Sequence, residues 1–182
     1  MVKDCPPDSE LIQRVRDSDR EAFRILFEKY QPIVLRQVLF QTRELDPSHD
    51  IVQETFLRIW ERRPFLKPHL SFPALAFRIS GNLVRDAARH RRTRERLRGS
   101  VPPPALSEGD NPEEALELTM LTERLAAVIA KLPLKCRTVF LLSRFERMGN
   151  SEIATLLGIS VRTVENQINH ALKVLRKRLG SP

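Results

Sequence analysis

Apolar positions recur along this chain at intervals of three and four, the spacing of one helical face. No stretch alternates with the period of two that a half-buried strand needs. After Asp19, the residues Ala22, Phe23, Leu26, Phe27 and Tyr30 of EAFRILFEKY recur with helical spacing and predict a helix. Pro32 marks either the first turn of a new segment or a kink. The Asp46-Pro47 step opens a second long segment, PSHDIVQETFLRIWERR, which Pro64 and Pro68 break. Ser71 is placed to cap a third, FPALAFRISGNLVRDAARHRRTRERLR, with Pro73 tolerated in its first turn. Further on, Asn111-Pro112 starts a helix and the Leu132-Pro133 step ends it. KCRTVFLLSRF forms the next, and Asn150 and Ser160 are the expected caps of the last two. The expected fold class is all-α.

Charge divides this helical string into three. Residues 1–98 hold 20 basic and 14 acidic side chains, net +6. Residues 99–118 hold five acids (Glu108, Asp110, Glu113, Glu114 and Glu117) and no base. Residues 119–182 hold 11 bases and four acids, net +7. The middle piece opens GSVPPPALSEGDNP, whose prolines and glycines favour extended, poorly packed chain. Two small helical bundles, 1–98 and 119–182, joined by an acidic Pro-rich linker over 99–118, are therefore expected. The whole chain carries net charge +8 and a pI near 10.2, a balance that favours polyanions.

Other classes find little support in the sequence. No apolar run approaches the roughly 20 residues of a spanning helix, so no membrane insertion is expected. The start, MVKDCPPDSE, lacks the apolar stretch of a secretion signal, which points to a cytoplasmic location. Cys5 and Cys136 are isolated, without the spacing of a zinc site or a disulfide framework, and Cys136 reads as a small core hydrophobe. There is no HExxH, no phosphate-binding glycine loop and no nucleophile–base arrangement, and the four histidines are scattered. Neither an enzyme nor a cofactor or metal is expected.

The stretch SEIATLLGISVRTVENQINHALKVLRKRL reads as a helix-turn-helix. Gly158 supplies the left-handed residue of the turn, and Val161, Val164, Ile168, Leu172 and Leu175 make the inward stripe of the second helix. Its other face carries Arg162, Thr163, Glu165, Asn166, Gln167, Asn169 and His170. Arginine and amides have the forked donors and acceptors that match base edges in a major groove. An ordinary amphipathic hairpin with a solvated polar face is the alternative, and Glu165, which repels phosphate, suits a cytosine contact or a structural pair.

Two further faces stand out. In DIVQETFLRIW, Ile51, Val52, Phe56, Ile59 and Trp60 pack one side while Asp50, Gln53, Glu54 and Glu61 line the other. An acidic stripe on a basic half suits a protein partner with a basic groove; the plainer reading is a solvated face with a local Glu54–Arg58 pair. Downstream, arginines at 89, 91, 92, 94, 96 and 98 form a phosphate-tracking surface or a solubilising end. Phe72, Phe77, Arg78 and Asn82 lie near the preceding loop RRPFLKPHL, and aromatics beside cations can stack single-stranded bases. Both phenylalanines can equally be core, the better reading for Phe77.

In their order, DIVQETFLRIW, SFPALAFRISGNLVRDAARHRR, the acidic Pro-rich linker, LAAVIAKLPLKCRTVFLLSRF and the helix-turn-helix resemble the extracytoplasmic-function (ECF) sigma factors of bacterial RNA polymerase, from about Ser9 to Leu179. The resemblance implies a non-catalytic initiation factor that binds core RNA polymerase and promoter DNA. Its first domain, σ2, would hold the polymerase clamp through Asp50 and Gln53 with Glu54 beside them. The same domain would open the −10 element and capture a base extruded from the stack. Arg78 and Asn82 match the family's R-I-x-x-N pattern. Phe65 and Lys67 lie in the loop where that base is read, and Arg89 and Arg92 would track the strand. The second domain, σ4, would set the helix from Ser160 to Leu175 in the −35 major groove. An anti-sigma protein is the implied regulator, and no control domain is expected beyond Pro182. The chain departs from the family pattern W-L-x-R-I-A-R-N at Leu75, where a tryptophan is usual, and at Gly81, where the second arginine is usual. A stand-alone helix-turn-helix regulator that binds duplex DNA without polymerase explains residues 151–179 and leaves the acidic stripe and the arginine helix without a use.

Overall fold

The computed structural model describes residues 6–69, 71–98 and 124–179, with the side chains of Arg92 and of residues 94–98 outside that description. The acidic segment 99–118, its Asn111-Pro112 helix start and Cys5 lie outside the described residues. Helix α1 spans Asp8–Arg16, α2 Arg20–Thr42, α3 Leu45–Glu61 and α4 Phe72–Arg98. A helical stretch over 124–130 (α5) precedes α6, Leu134–Arg144, α7, Asn150–Leu157, and α8, Val161–Leu179. A single 3-10 turn, Arg63–Phe65, follows α3. No strand occurs among the described residues, so the fold class is all-α as expected.

Side-chain oxygens close several helix starts, at Ser71 and Ser160 as expected and also at Asp19. The Asp19 carboxylate accepts from the backbone N–H groups of Glu21 (2.9 Å) and Ala22 (3.0 Å), closing the first turn of α2. Ser71 Oγ accepts from Ala74 N at 3.1 Å, and Ser160 Oγ from Thr163 N at 3.1 Å. Pro32 lies inside α2 and begins no new segment. Two expected caps move. Helix α3 starts one residue before Asp46, with Glu44 at the cap, so Asp46 and Pro47 occupy its first turn. Asn150 is the first residue of α7, and Gly149 takes the cap, its backbone N–H donating to the Glu152 carboxylate at 2.6 Å.

An aromatic cluster fastens α2, α3 and α4 together. Phe27 meets Phe56 edge-on at 4.7 Å, Tyr30 lies 5.6 Å from Phe72, and Phe56 lies 6.3 Å from Phe72. Asp8 ties α1 to α2 through Lys29 (2.7 Å) and the Tyr30 hydroxyl. A smaller apolar cluster joins α5, α6 and α8 through Ile129, Leu132, Cys136, Phe140 and Ala171.

The two helical groups are packed on one another. Val139, Leu142, Ile153, Ala154, Val164 and Ile168 belong to the same buried cluster as the core of α1–α4. Polar contacts frame this seam. Arg36 donates through Nε and Nη2 to the two Glu146 oxygens, each at 2.6 Å, which raises the guanidinium pKa. Gln37 donates to Thr138 Oγ1 at 3.0 Å in a buried site, and Arg137 to Gln41 at 2.7 Å. The rings of Phe40 and Phe145 lie 4.5 Å apart. Two bundles held only by a tether would show none of this.

Candidate functional site

The amphipathic pattern of α3 is realised. Ile51, Val52, Phe56 and Ile59 are buried, while Asp50, Gln53 and Glu61 are exposed. Glu54 is half-buried and accepts from Arg58 Nε at 2.6 Å, the local pair expected at this spacing. The structure thus brings Asp50, Gln53 and Glu54 onto one accessible face. It adds a residue that the sequence reading passed over. Leu57, at 50% exposure, sits between Glu54 and Glu61 as an apolar spot in the stripe. Its spacing of three from Glu54 and four from Gln53 is the signal that marks it.

On α4, Arg78, Asn82, Arg85 and Arg89 are all exposed at spacings of four, three and four, one continuous face. Arg85 donates to the Asn82 side-chain oxygen and holds its amide in place. Among the described residues, Arg89 makes a long contact, 3.8 Å, with Asp86. Arg85 was absent from the expected site, although its spacing between Asn82 and Arg89 places it there. Arg92 continues the helix, but its side chain lies outside the described residues.

The stacking role considered for Phe72 and Phe77 does not survive. They are 1% and 2% exposed and belong to the core, because α4 turns its apolar side onto Tyr30 and Phe56. Phe65 is the aromatic presented to solvent before α4, at 83% exposure on the 3-10 turn, with Lys67 exposed two residues later. Arg63, in the same turn, lies 4.5 Å over the Trp60 ring, which steadies the base of the loop.

The helix-turn-helix forms. Gly158 adopts φ +65°, the left-handed conformation that a side chain resists, and its N–H bonds back to the Thr155 carbonyl at 3.3 Å. Val164, Ile168 and Leu175 face inward and Leu172 packs partly behind them. Val161 does not join them: at 39% exposure it lies in the first turn of α8, ahead of the contact with α7. Arg162, Glu165, Asn166, Asn169 and His170 are exposed, while Thr163 and Gln167 are half-buried. The Cys136 thiol donates to the Gln167 carbonyl at 3.1 Å, and burial pushes its pKa up, so it behaves as core.

The faces of α4 and α8 look into a common cleft of about 1080 Å³. Arg78, Asn82 and Arg85 line one wall, and Asn166, Gln167 and His170 the other. Phe65 and Lys67 do not reach it.

Comparison with known proteins accounts for both halves of the chain. Residues 26–94 match the sequence profile of Sigma-70 region 2, and residues 122–175 that of Sigma-70, region 4. The chain is 32% identical to the RNA polymerase sigma factor CnrH of Cupriavidus metallidurans over 67% of its length and 68% of that protein's. It is 30% identical to the ECF RNA polymerase sigma factor SigL of Mycobacterium tuberculosis, over 86% of this chain and 88% of the other. Among solved structures, CnrH in complex with the cytosolic domain of CnrY superposes with a TM-score of 0.56 at 27% identity, covering 95% of this chain and 97% of that one. The sigma factor RpoE of Bartonella quintana, solved with the anti-sigma factor NepR, shares the fold at a TM-score of 0.53 and 16% identity, over 87% and 96% of the two chains. A stand-alone regulator would leave the match over residues 26–94 without a reason, and that reading is not favoured. The chain belongs to the extracytoplasmic-function family of RNA polymerase sigma factors, and promoter-specific initiation by the polymerase is its function.

Proposed function

We propose that the exposed face of α3, with Asp50, Gln53 and Glu54, is where this sigma factor grips the core polymerase. The reading divides the chain into a −10 unit over 1–98, a linker over 99–118 and a −35 unit over 119–182. One observation carries it: the acidic face of α3 stands out from a half of the chain whose net charge is +6. Nucleic acid is repelled there, and a basic groove on a protein is attracted. Leu57 in the middle of the stripe adds the apolar contact that a rim of charges alone lacks.

The α4 face of Arg78, Asn82, Arg85 and Arg89 takes the −10 strand, with Phe65 and Lys67 in the loop that receives the extruded base. Helix α8 reads the −35 duplex. Arg162 and Asn166 contact bases, Glu165, Asn169 and His170 flank them, and the half-buried Thr163 and Gln167 fix the helix against the groove. The chain supplies binding and no catalysis of its own, and it works in the cytoplasm beside the polymerase. No helix of the described residues is long and apolar enough to cross a membrane. An anti-sigma protein that covers these faces is the proposed regulator, supported by the likeness to CnrH in its complex with the cytosolic domain of CnrY.

Transcription in a purified system tests the reading. Core polymerase given this chain should start from promoters that core polymerase alone ignores. Replacing Arg78 and Asn82 together with alanine should abolish those starts while leaving the chain bound to polymerase. Starts that survive the double change would remove the −10 role from α4.

A further inference from the structure

Ser18, at the corner between α1 and α2, holds its backbone at φ +68°, a region that glycine enters freely and other residues at a cost. On backbone grounds a glycine would suit the corner better, so the serine is explained by its side chain. Its exposed hydroxyl accepts from Arg63 Nε at 2.9 Å. The same arginine donates through Nη1 to the Trp60 carbonyl at 3.0 Å, and its guanidinium lies 4.5 Å over the Trp60 ring. Trp60 in turn lies 5.0 Å from Phe23, which meets the buried Phe56 edge-on at 6.4 Å. A continuous stack therefore runs from the core to the 3-10 turn at Arg63–Phe65.

We propose that Arg63 is a positioning residue for −10 recognition: it locks the turn so that Phe65 already stands where the extruded base arrives, and it makes the α1–α2 corner part of that lock. The inference rests on the assignment of Phe65 to base capture above. At 83% exposure Phe65 gains little from packing, so its place is set by the chain on either side. Its N–H donates to the Arg62 carbonyl at 3.0 Å. The next residue, Leu66, donates to the Arg63 carbonyl at 3.1 Å and buries its side chain. Pro64 fixes one further backbone angle. Arg63 is the side chain that joins the other end of this turn to the body of the protein. An aromatic held in place beforehand loses less freedom on stacking than one that the base itself must order.

The corner that receives Arg63 is itself held from both sides. Asp8 fastens α1 to α2 through Lys29 and the Tyr30 hydroxyl, and Asp19 pairs with Arg14 at 2.9 Å. Ser18 also lies outside residues 26–94, the part of the chain that matches Sigma-70 region 2. The loop is thus steadied by a contact from sequence that the profile does not cover. An arginine that only covered Trp60 would need the ring and no hydroxyl, and one that only met phosphate would need neither. Contacts to a ring, a carbonyl and a hydroxyl from three different directions hold the guanidinium in one orientation, and with it the turn.

The test uses the full-length chain bound to core polymerase and a fluorescent single strand that carries the −10 element of a promoter served by the wild-type chain. An abasic site replaces each base of the element in turn, and the base whose removal costs wild type most marks the extruded position. The readout is the ratio of affinities with and without that base, since a general loss of stability or charge lowers both alike. Arg63→Ala should cut the ratio about tenfold, the scale of one base stack, and bring it near that of Phe65→Ala. Ser18→Gly relaxes the backbone yet removes the hydroxyl, and Arg63→Lys keeps a cation for Trp60 yet loses the Nε bond. Both should cut the ratio about threefold, the scale of one hydrogen bond, with Ser18→Gly melting no lower than wild type. Trp60 is the only tryptophan of the chain, and acrylamide should quench its fluorescence more readily in Arg63→Ala. An Arg63→Ala ratio equal to wild type, with that of Phe65→Ala reduced, would overturn the positioning role and leave base capture standing. A Phe65→Ala ratio equal to wild type would overturn base capture and this inference with it. Equal losses for Arg63→Ala on the strands with and without the base would overturn positioning in favour of a phosphate contact.

Discussion

Asp19 shows how a single side chain carries both structure and a titration. Its carboxylate accepts two backbone N–H groups and pairs with Arg14 at 2.9 Å, and these bonds, the Ala22 N–H first, lower its pKa from 3.8. A carboxylate with a lowered folded pKa stabilises the fold above its ordinary pKa, and that contribution is lost as pH falls through the folded value. Asp19→Asn, which keeps an acceptor for the cap, should therefore melt below wild type at neutral pH. The gap should narrow at pH values under 3.8, and a gap that stays constant would mean that the charge has no part in it. Among the exposed residues of α8, Arg162 and Asn166 carry the sharpest expectation. Changing either to alanine should alter base preference at one −35 position by about 1–3 kcal/mol, read by competition between promoter variants. A uniform loss across all sequences would mean that the side chain touches only phosphate. The single-residue signals in the sequence were uneven. Ser71 and Ser160 were legible as caps because their short oxygens satisfy orphan N–H groups. Phe72 was not, since an aromatic beside cations looks the same in a core as on a stacking platform until its neighbours are known.

At the scale of the element, spacing did most of the work. The inward residues of α3, the exposed Asp50 and Gln53 and the half-buried Glu54 on the same face followed from 3.6-residue periodicity alone, because the helix has one apolar side to bury. The face formed by Arg78, Asn82, Arg85 and Arg89 obeys the same rule, and Arg85 belongs to it by spacing although the pattern R-I-x-x-N ends at Asn82. The turn between α7 and α8 depends on a conformation more than on contacts. A Cβ at residue 158 would sit 3.4 Å from that of Ser71, an ordinary contact, so the penalty for a side chain lies in φ +65°. Gly158→Ala should cost about 1–2 kcal/mol and lower the melting temperature by a few degrees. A variant as stable as wild type in thermal denaturation would show that the turn relaxes to another geometry, and recognition of the −35 element should then change.

At the scale of the whole molecule the sequence was least informative. Helix class and the change of charge near residue 99 are local properties, and they were readable. The docking of α6 and α7 on α2 and α4 is not local. It depends on Gly81 and Leu134, 53 positions apart, and on an arginine–glutamate fork between residues 36 and 146. Such pairs carry no periodic trace. The α3 face proposed for polymerase stays accessible in the docked arrangement, with Asp50 and Gln53 exposed. The most direct measurement is co-elution of the purified chain with core RNA polymerase on a sizing column, for wild type and for the double reversal Asp50→Lys, Glu54→Lys. Wild type should travel with the polymerase. The reversal should lose at least tenfold in affinity while melting within a few degrees of wild type, since an exposed pair such as Glu54–Arg58 is worth at most about 1 kcal/mol. A reversed protein that still co-elutes would contradict the account at its centre, for the acidic face of α3 would then not be what the polymerase holds.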